Sequence, residues 1–277
     1  MMGPQPSMSA SIELPARAVS GIILIAAAVL AVFAGGIVFG GLVIIGSVAG
    51  LREWHRLVNN GKLAPQMFIT AISLIAAVAL FLATNNYGFA LAVIIAGALC
   101  TLVWSSLRDR SPVWHAFGAI YLGVPAIALV MLRGGAGGAH LLLGILLAVW
   151  SADTGALIGG RFIGGPKLIP KLSPNKTWAG FVCGTFAAGV VEALFITLLG
   201  GSAIAGFGFG VLIGLFGHAG DLFESWVKRR FQAKDSGGLI PGHGGVLDRI
   251  DSLLFVAPVC AFLVFFTGLN PFQGAPL

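Results

Sequence analysis

Charge is what this sequence has least of. Asp, Glu, Lys and Arg make up 9% of its 277 residues, against roughly 25% in an ordinary soluble domain. With 57% hydrophobic residues, that scarcity excludes a soluble globule. Cysteine is almost missing: Cys100, Cys183 and Cys260 lie far apart inside apolar runs, which excludes a disulfide framework or thiolate cluster and leaves packing roles. The 41 glycines and 13 prolines follow no G-X-Y period, so collagen is excluded, and their spread through apolar segments suits membrane helices. No internal repeat, low-complexity tract or long linker separates a second domain.

What is present is a series of apolar runs, at 18–34, 37–51, 67–84, 88–104, 115–132, 140–159, 177–199, 203–220 and 253–269. A span needs about 20 apolar residues, so the expected fold is an all-α polytopic membrane protein of about nine transmembrane helices. Gly35, Gly36, Gly40 and Gly41 leave one bent helix as an alternative for the first two runs. Their combined length exceeds one bilayer and favours two. Residues 1–277 read as a single integral membrane unit, with 1–135 supplying N-terminal helices and 136–277 the catalytic helices and loops.

The 16 Lys and Arg then fix an expected orientation. Nine spans place every one of them except Arg133 on the same side, and positive residues favour the cytoplasm. The N-terminus is therefore expected inside and the C-terminus outside. Arg17, its apolar run and small residues near Ala34 also resemble a cleavable secretory signal. A single cation behind a polar, proline-containing lead favours a retained span.

Chemistry is sought where ionisable residues occur despite the bilayer. Glu13, Glu53 and Asp109 sit beside basic residues or in the N-terminal lead and read as solvated interfacial groups. His55, His115, His140 and His218 carry no partner pattern, and mid-span Glu192 reads as a protonated or interhelically hydrogen-bonded group. Asp153, Asp221, Glu224, Asp235, Asp248 and Asp251 border the two most basic connections.

The stretch 221–252 reads DLFESWVKRRFQAKDSGGLIPGHGGVLDRIDS. Helical spacing brings Asp221, Ser225 and Lys228 onto one face, with Glu224 beside them. Gly237, Gly238, Pro241, Gly242, Gly244 and Gly245 cannot be regular helix and free backbone amides for an anion. Asp248 and Asp251 follow three residues apart. Paired carboxylates beside Lys, Arg and a glycine loop suit Mg²⁺ bridging to phosphate oxygens. The bland alternative is a surface loop with helix-end charges on anionic lipid; it leaves Asp221, at the end of an apolar run, unexplained.

A second cluster, 151–180, repeats this construction. Asp153 interrupts an apolar helix, and Arg161, Lys167, Lys171 and Lys176 follow in a Gly/Pro-rich loop with Ser173, Asn175 and Thr177. A helix N-terminus binds phosphate, which makes Lys176 and Thr177 candidate anion contacts.

These residues resemble the phosphatidate cytidylyltransferases, also called CDP-diacylglycerol synthases. The family signature is matched in spacing by Ser225, Lys228, Arg229, Lys234, Asp235, Gly237, Ile240, Pro241, His243, Gly244, Gly245, Asp248, Arg249 and Asp251. Asp153-Thr154-Gly155 and Ser173-Pro174-Asn175-Lys176-Thr177 resemble its upstream motifs, while Leu157 and Ala179 depart from it. The N-terminal half matches only as hydrophobic spans.

The resemblance implies CMP transfer from CTP to phosphatidate, giving CDP-diacylglycerol and pyrophosphate for phospholipid biosynthesis at the cytoplasmic face of a bacterial inner membrane. It implies metal binding by Asp221, Asp248 and Asp251, with Asp153 in a supporting or second-ion role. Lys176, Lys228, Arg229 and Arg249 would meet phosphate, with Ser173, Thr177, Ser225, Lys234, Gly244 and Gly245 also in the substrate site. His243 is expected as a phosphate contact, with general acid/base catalysis the lesser alternative. The expected cofactor is Mg²⁺, alone or with a second cation; the expected partners are CTP, phosphatidate and membrane lipid, with no nucleic acid. A homodimer is compatible with the sequence. The rival functions are a CTP-dependent lipid kinase, distinguished by its products, and a cation- or proton-coupled transporter, which leaves the 235–251 loop without a role.

Overall fold

The computed structural model describes residues 8–108, 111–239 and 244–271. Nine helices occur among them: α1 (Met8–Ala34), α2 (Gly36–Val58), α3 (Gln66–Thr84), α4 (Tyr87–Ser106), α5 (Pro112–Gly134), α6 (Gly138–Phe162), α7 (Trp178–Leu198), α8 (Ala203–Arg230) and α9 (Leu247–Phe266). Each contains one expected apolar run or most of it. Helices α2 to α9 are each long and apolar enough to cross a membrane, and large apolar side chains such as Ile37, Leu198 and Ile204 stand more than four-fifths exposed. Long helices satisfy their own backbone polar groups, and outward-facing apolar side chains need lipid as solvent. The chain is an integral membrane protein.

The first two runs form two helices. Gly35 and Gly36 break the chain between them with φ of +63° and +48°, a region a side chain would strain. Local caps fix other starts. Asn86 accepts from Phe89 N at 3.1 Å before α4, and Thr177 accepts from Gly180 N at 3.1 Å before α7, each satisfying an amide that the first helical turn leaves open.

One departure from an all-helical fold is a small antiparallel hairpin, β1 (Lys167–Ile169) and β2 (Ser173–Thr177), with Lys167 opposite Thr177 and Ile169 opposite Ser173. The segment expected as a Gly/Pro-rich loop is therefore ordered by ladder bonds. The hairpin delivers Lys176 and Thr177 to the start of α7.

Helices α6, α7 and α8 pack closely along small residues. A Cβ at Gly155 would stand 2.8 Å from Ala187 Cβ, and one at Gly214 would stand 2.9 Å from Thr185 Cα. Both contacts are closer than side chains tolerate, so glycine sets the helix separation, as is common between membrane helices. Helix α9 packs on α8 and also on α5 and α2, tying the two parts of the chain together. At that junction Trp54, Trp114, Phe117, Tyr121, Phe223 and Phe255 form a continuous aromatic cluster.

Two expectations about buried polar groups change. His55 and His115 are partners: their Nδ1 atoms lie 2.8 Å apart and their rings stack, while His55 Nε2 lies 2.9 Å from Thr70 Oγ1. They come from α2 and α5, a pairing no local spacing reveals. Glu192 is fully buried, yet neither carboxylate oxygen has a hydrogen-bond partner among the described residues. Gly144 makes room for it, since a Cβ there would lie 2.6 Å from Oε1.

Candidate active site

The two charged clusters of the sequence meet at one end of the α6–α9 bundle. β2 presents Lys176, whose ammonium pairs with the Asp221 carboxylate on α8. Asp153, on α6, lies within electrostatic range of Asp221, Lys176 and Arg249. Asp251, one turn into α9, is 9% exposed and interacts electrostatically with Asp221, Asp153 and Lys176. Its Oδ1 accepts from Ser252 N at 2.8 Å, and Ser252 Oγ donates to Gly217 O at 3.2 Å, holding α9 against α8. Three carboxylates and one ammonium, from four elements, thus share one neighbourhood.

Asp153, Lys176 and Asp221 border a cavity of about 230 Å³ whose polar lining also includes Asn175, Thr177 and His218. Ala156, Leu157, Leu168, Phe181 and Leu222 complete the wall. Thr177, expected as an anion contact, is buried and spends its hydroxyl on the α7 cap. Ser173 is half-buried at the start of β2, and Ser225 is half-buried one turn beyond Asp221.

Asp248 stands apart from the other three aspartates. Lys228 Nζ lies 2.7 Å from Glu224 Oε2 and 2.8 Å from Asp248 Oδ1. The second Asp248 oxygen accepts from Gly245 N at 2.9 Å and Ser236 N at 3.4 Å. The helical face expected to carry Asp221, Ser225 and Lys228 together is therefore split: Asp221 turns to Lys176, and Lys228 bridges two carboxylates. Among the described residues no three His, Cys, Asp or Glu side chains are grouped to hold one metal ion, so the four aspartates do not form a ready-made cage. Arg229, Lys234 and Arg249 are exposed around this end.

Gly244 has φ of +81°, a left-handed conformation that favours glycine, and Gly245 is buried beside Glu53 and Ser236. Ile240, Pro241, Gly242 and His243, like Asp109 and Arg110, lie outside the described residues.

Two residues join this region without having been singled out. His218 lines the cavity, is 8% exposed, and its Nε2 has no hydrogen-bond partner among the described residues. Its position three residues before Asp221 on α8 was the available signal. Glu53, expected as a solvated interfacial group, is instead 1% exposed and accepts from Leu247 N at 2.8 Å. The neighbouring Arg52 and Arg56 disguised it in sequence, since its partners are 183 and 194 positions away.

The chain matches the cytidylyltransferase family over residues 15–267. It is 37% identical over 255 residues to the phosphatidate cytidylyltransferase of Brucella suis, covering 88% of this chain and 91% of that protein. It is 35% identical over 217 residues to the phosphatidate cytidylyltransferase of Rickettsia prowazekii, covering 75% and 95%, and 38% identical over 169 residues to that of Rickettsia bellii, covering 58% and 73%. A match running through all nine helices and both charged clusters makes this chain a member of the cytidylyltransferase family.

Proposed function

We propose that this chain transfers CMP from CTP to phosphatidate, forming CDP-diacylglycerol and pyrophosphate for phospholipid biosynthesis, at the cytoplasmic surface of a bacterial inner membrane. The observation that carries this reading is the mixed wall of the cavity. Asp153, Lys176 and Asp221 line it together with Ala156, Leu157, Leu168 and Leu222. An amphiphile with a phosphate head requires both surfaces at once, and the named relatives act on such a lipid.

Both substrates are polyanions, so charge compensation must precede contact. Lys176, Lys228, Arg229 and Arg249 supply fixed positive charge, with Lys234 at the rim and His243 as a further phosphate contact. Ser173 and Ser225 add hydroxyl groups, and the backbone of Gly244 and Gly245 can approach an anion closely. Thr177 acts through the helix start it caps.

The donor set also fits Mg²⁺, which takes one or two carboxylates together with substrate phosphate rather than an all-protein cage. Asp221, Asp251 and Asp153 are hard oxygen donors in one neighbourhood, and Lys176 already sits against Asp221. Asp248 is already engaged by Lys228 and the Gly245 amide. When bound, the cation would neutralise triphosphate charge.

In the proposed reaction an ionised phosphatidate oxygen bonds to the α-phosphorus of CTP. The bond from that phosphorus to the bridging oxygen breaks, and pyrophosphate leaves with the electron pair. The nucleophile is already ionised near neutral pH, so orientation and charge compensation account for the chemistry better than proton abstraction does. The test uses CTP made chiral and labelled at the α-phosphorus, incubated with the purified protein, phosphatidate and Mg²⁺. The expected result is label in CDP-diacylglycerol with inverted configuration and release of pyrophosphate. Label recovered as CDP beside a phosphorylated lipid would make the protein a lipid kinase; net retention, or a CMP adduct on Ser225 or His243, would replace direct transfer with two displacements.

A further inference from the structure

The structure assigns Glu53 a positioning role: its carboxylate, delivered by α2, clips Ser236 to the first turn of α9, and so sets where Asp248 and Asp251 stand. The functional part of this inference rests on the CMP-transfer reading; the structural part does not.

Helix α9 has no cap of its own, because its N-cap residue is Val246. The first helical amide, Leu247 N, donates instead to Glu53 Oε2 at 2.8 Å, and Ser236 Oγ donates to the same oxygen at 3.4 Å. One atom from the N-terminal part of the chain therefore joins the two flanks of the loop. The fit around it is close: a Cβ on Gly245 would lie 2.6 Å from Glu53 Oε2, and one on Gly237 would lie 2.7 Å from Glu53 Cδ. Asp248 makes a parallel clip, accepting from Gly245 N and Ser236 N, but it is itself carried by α9. Glu53 is the anchor that comes from another helix, α2.

A carboxylate suits the place for two reasons. It accepts the open amide of a helix start, and its charge complements the positive end of the helix dipole. The residues it fixes are expected metal ligands or hold an expected phosphate contact: Asp248 holds Lys228 at 2.8 Å, and Asp251 interacts electrostatically with Asp221 and Asp153. A displaced α9 start would separate these groups with every one of them still present.

The experiment compares the parent with Glu53→Gln, Glu53→Ala and Gly237→Ala, each purified in detergent and confirmed folded by gel filtration and thermal melting. Three quantities are read: kcat, KM for CTP, and backbone hydrogen exchange in peptides covering 236–252 and 178–198. Gln keeps an acceptor oxygen and should hold kcat within about threefold of the parent, whereas Ala should lose at least about tenfold. In Glu53→Ala, exchange at Gly245 and Leu247 should rise at least about tenfold while α7 is unchanged. Gly237→Ala removes no polar group but pushes a methyl into the carboxylate, and should reproduce both effects in weaker form. Parental kcat in folded Glu53→Ala would overturn the assignment. So would a kcat loss without faster exchange at 236–252, exchange rising equally in α7, or a Gln variant as defective as Ala. If Glu53→Ala does not fold, Gly237→Ala decides: parental kcat and exchange there would overturn the assignment. A parent that does not transfer CMP would sink the functional reading alone, since the exchange data still judge the clip.

Discussion

At the scale of single residues, two cations of the site, Lys176 and Lys228, are already engaged by carboxylates. Lys228 is held between Glu224 and Asp248 with its side chain 16% exposed. Removing the ammonium in Lys228→Met leaves two carboxylates facing each other, and the expected cost is about 3 kcal/mol of stability. A thermal or denaturant midpoint measured beside activity would show it; an unchanged midpoint would reject the buried-pair description. Asp221→Asn keeps the side-chain volume but takes away the counter-charge of Lys176 and one proposed metal ligand. Its expected outcome is a loss of at least about a hundredfold in CMP transfer with normal membrane insertion, and near-parental turnover at saturating Mg²⁺ would reject a ligand role. The aspartates were legible in sequence because charge within apolar runs is costly. Glu53, His218 and the His55–His115 pair were not, because each takes its meaning from a partner on another helix.

At the scale of elements, apolar runs located the helices, but helix ends and the connections between helices needed the fold. Helix α8 continues to Arg230 and α2 to Val58, well past their apolar runs, because amphipathic turns beyond the core are stabilised by packing that a hydropathy window does not register. The β1–β2 hairpin was hidden because its ladder is short and rich in Lys and Pro, residues depleted in strands. The α6–α7 seam makes a distinct prediction. A Cβ at Gly155 would stand 2.8 Å from Ala187 Cβ and 3.0 Å from the Cys183 carbonyl oxygen, so Gly155→Leu should separate α6, which carries Asp153, from α7, whose start follows Lys176. The expected outcome is a destabilisation of about 1–3 kcal/mol together with loss of turnover. Gly41→Leu, at a position with nothing within 4 Å of its Cβ, should leave both unchanged. Equal effects of the two substitutions on the melting midpoint would contradict the close-packed seam.

For the whole molecule, the proposed orientation follows from charge distribution. Arg133 is the lone cation expected outside, and its guanidinium donates to the Val32 and Phe33 carbonyls at the end of α1. A basic group there completes a helix C-terminus, which explains one exception to the positive-inside bias without altering the bias. Cysteines introduced at Lys171 and Gly238 should label from the cytoplasmic side, and one at Ala136, in the connection between α5 and α6, from the opposite side. Labelling of Ala136 and Gly238 from the same side would overturn the proposed topology.

The helix lengths also act as a depth gauge. Asp153 and Asp221 each lie nine residues before the last residue of their helices, Phe162 and Arg230, so the two carboxylates sit about 13 Å below their helix ends at 1.5 Å per residue. Measured from the other end, Asp221 is about 27 Å along α8, close to the far edge of a hydrocarbon layer about 30 Å thick. Asp251 lies four residues into α9, about 6 Å from its start. In the proposed orientation these carboxylates fall near the level at which a glycerolipid carries its phosphate. Under the proposed function, a lipid docked at that height would keep its acyl chains in the bilayer while its head met a water-borne nucleotide, with no energy spent lifting it out.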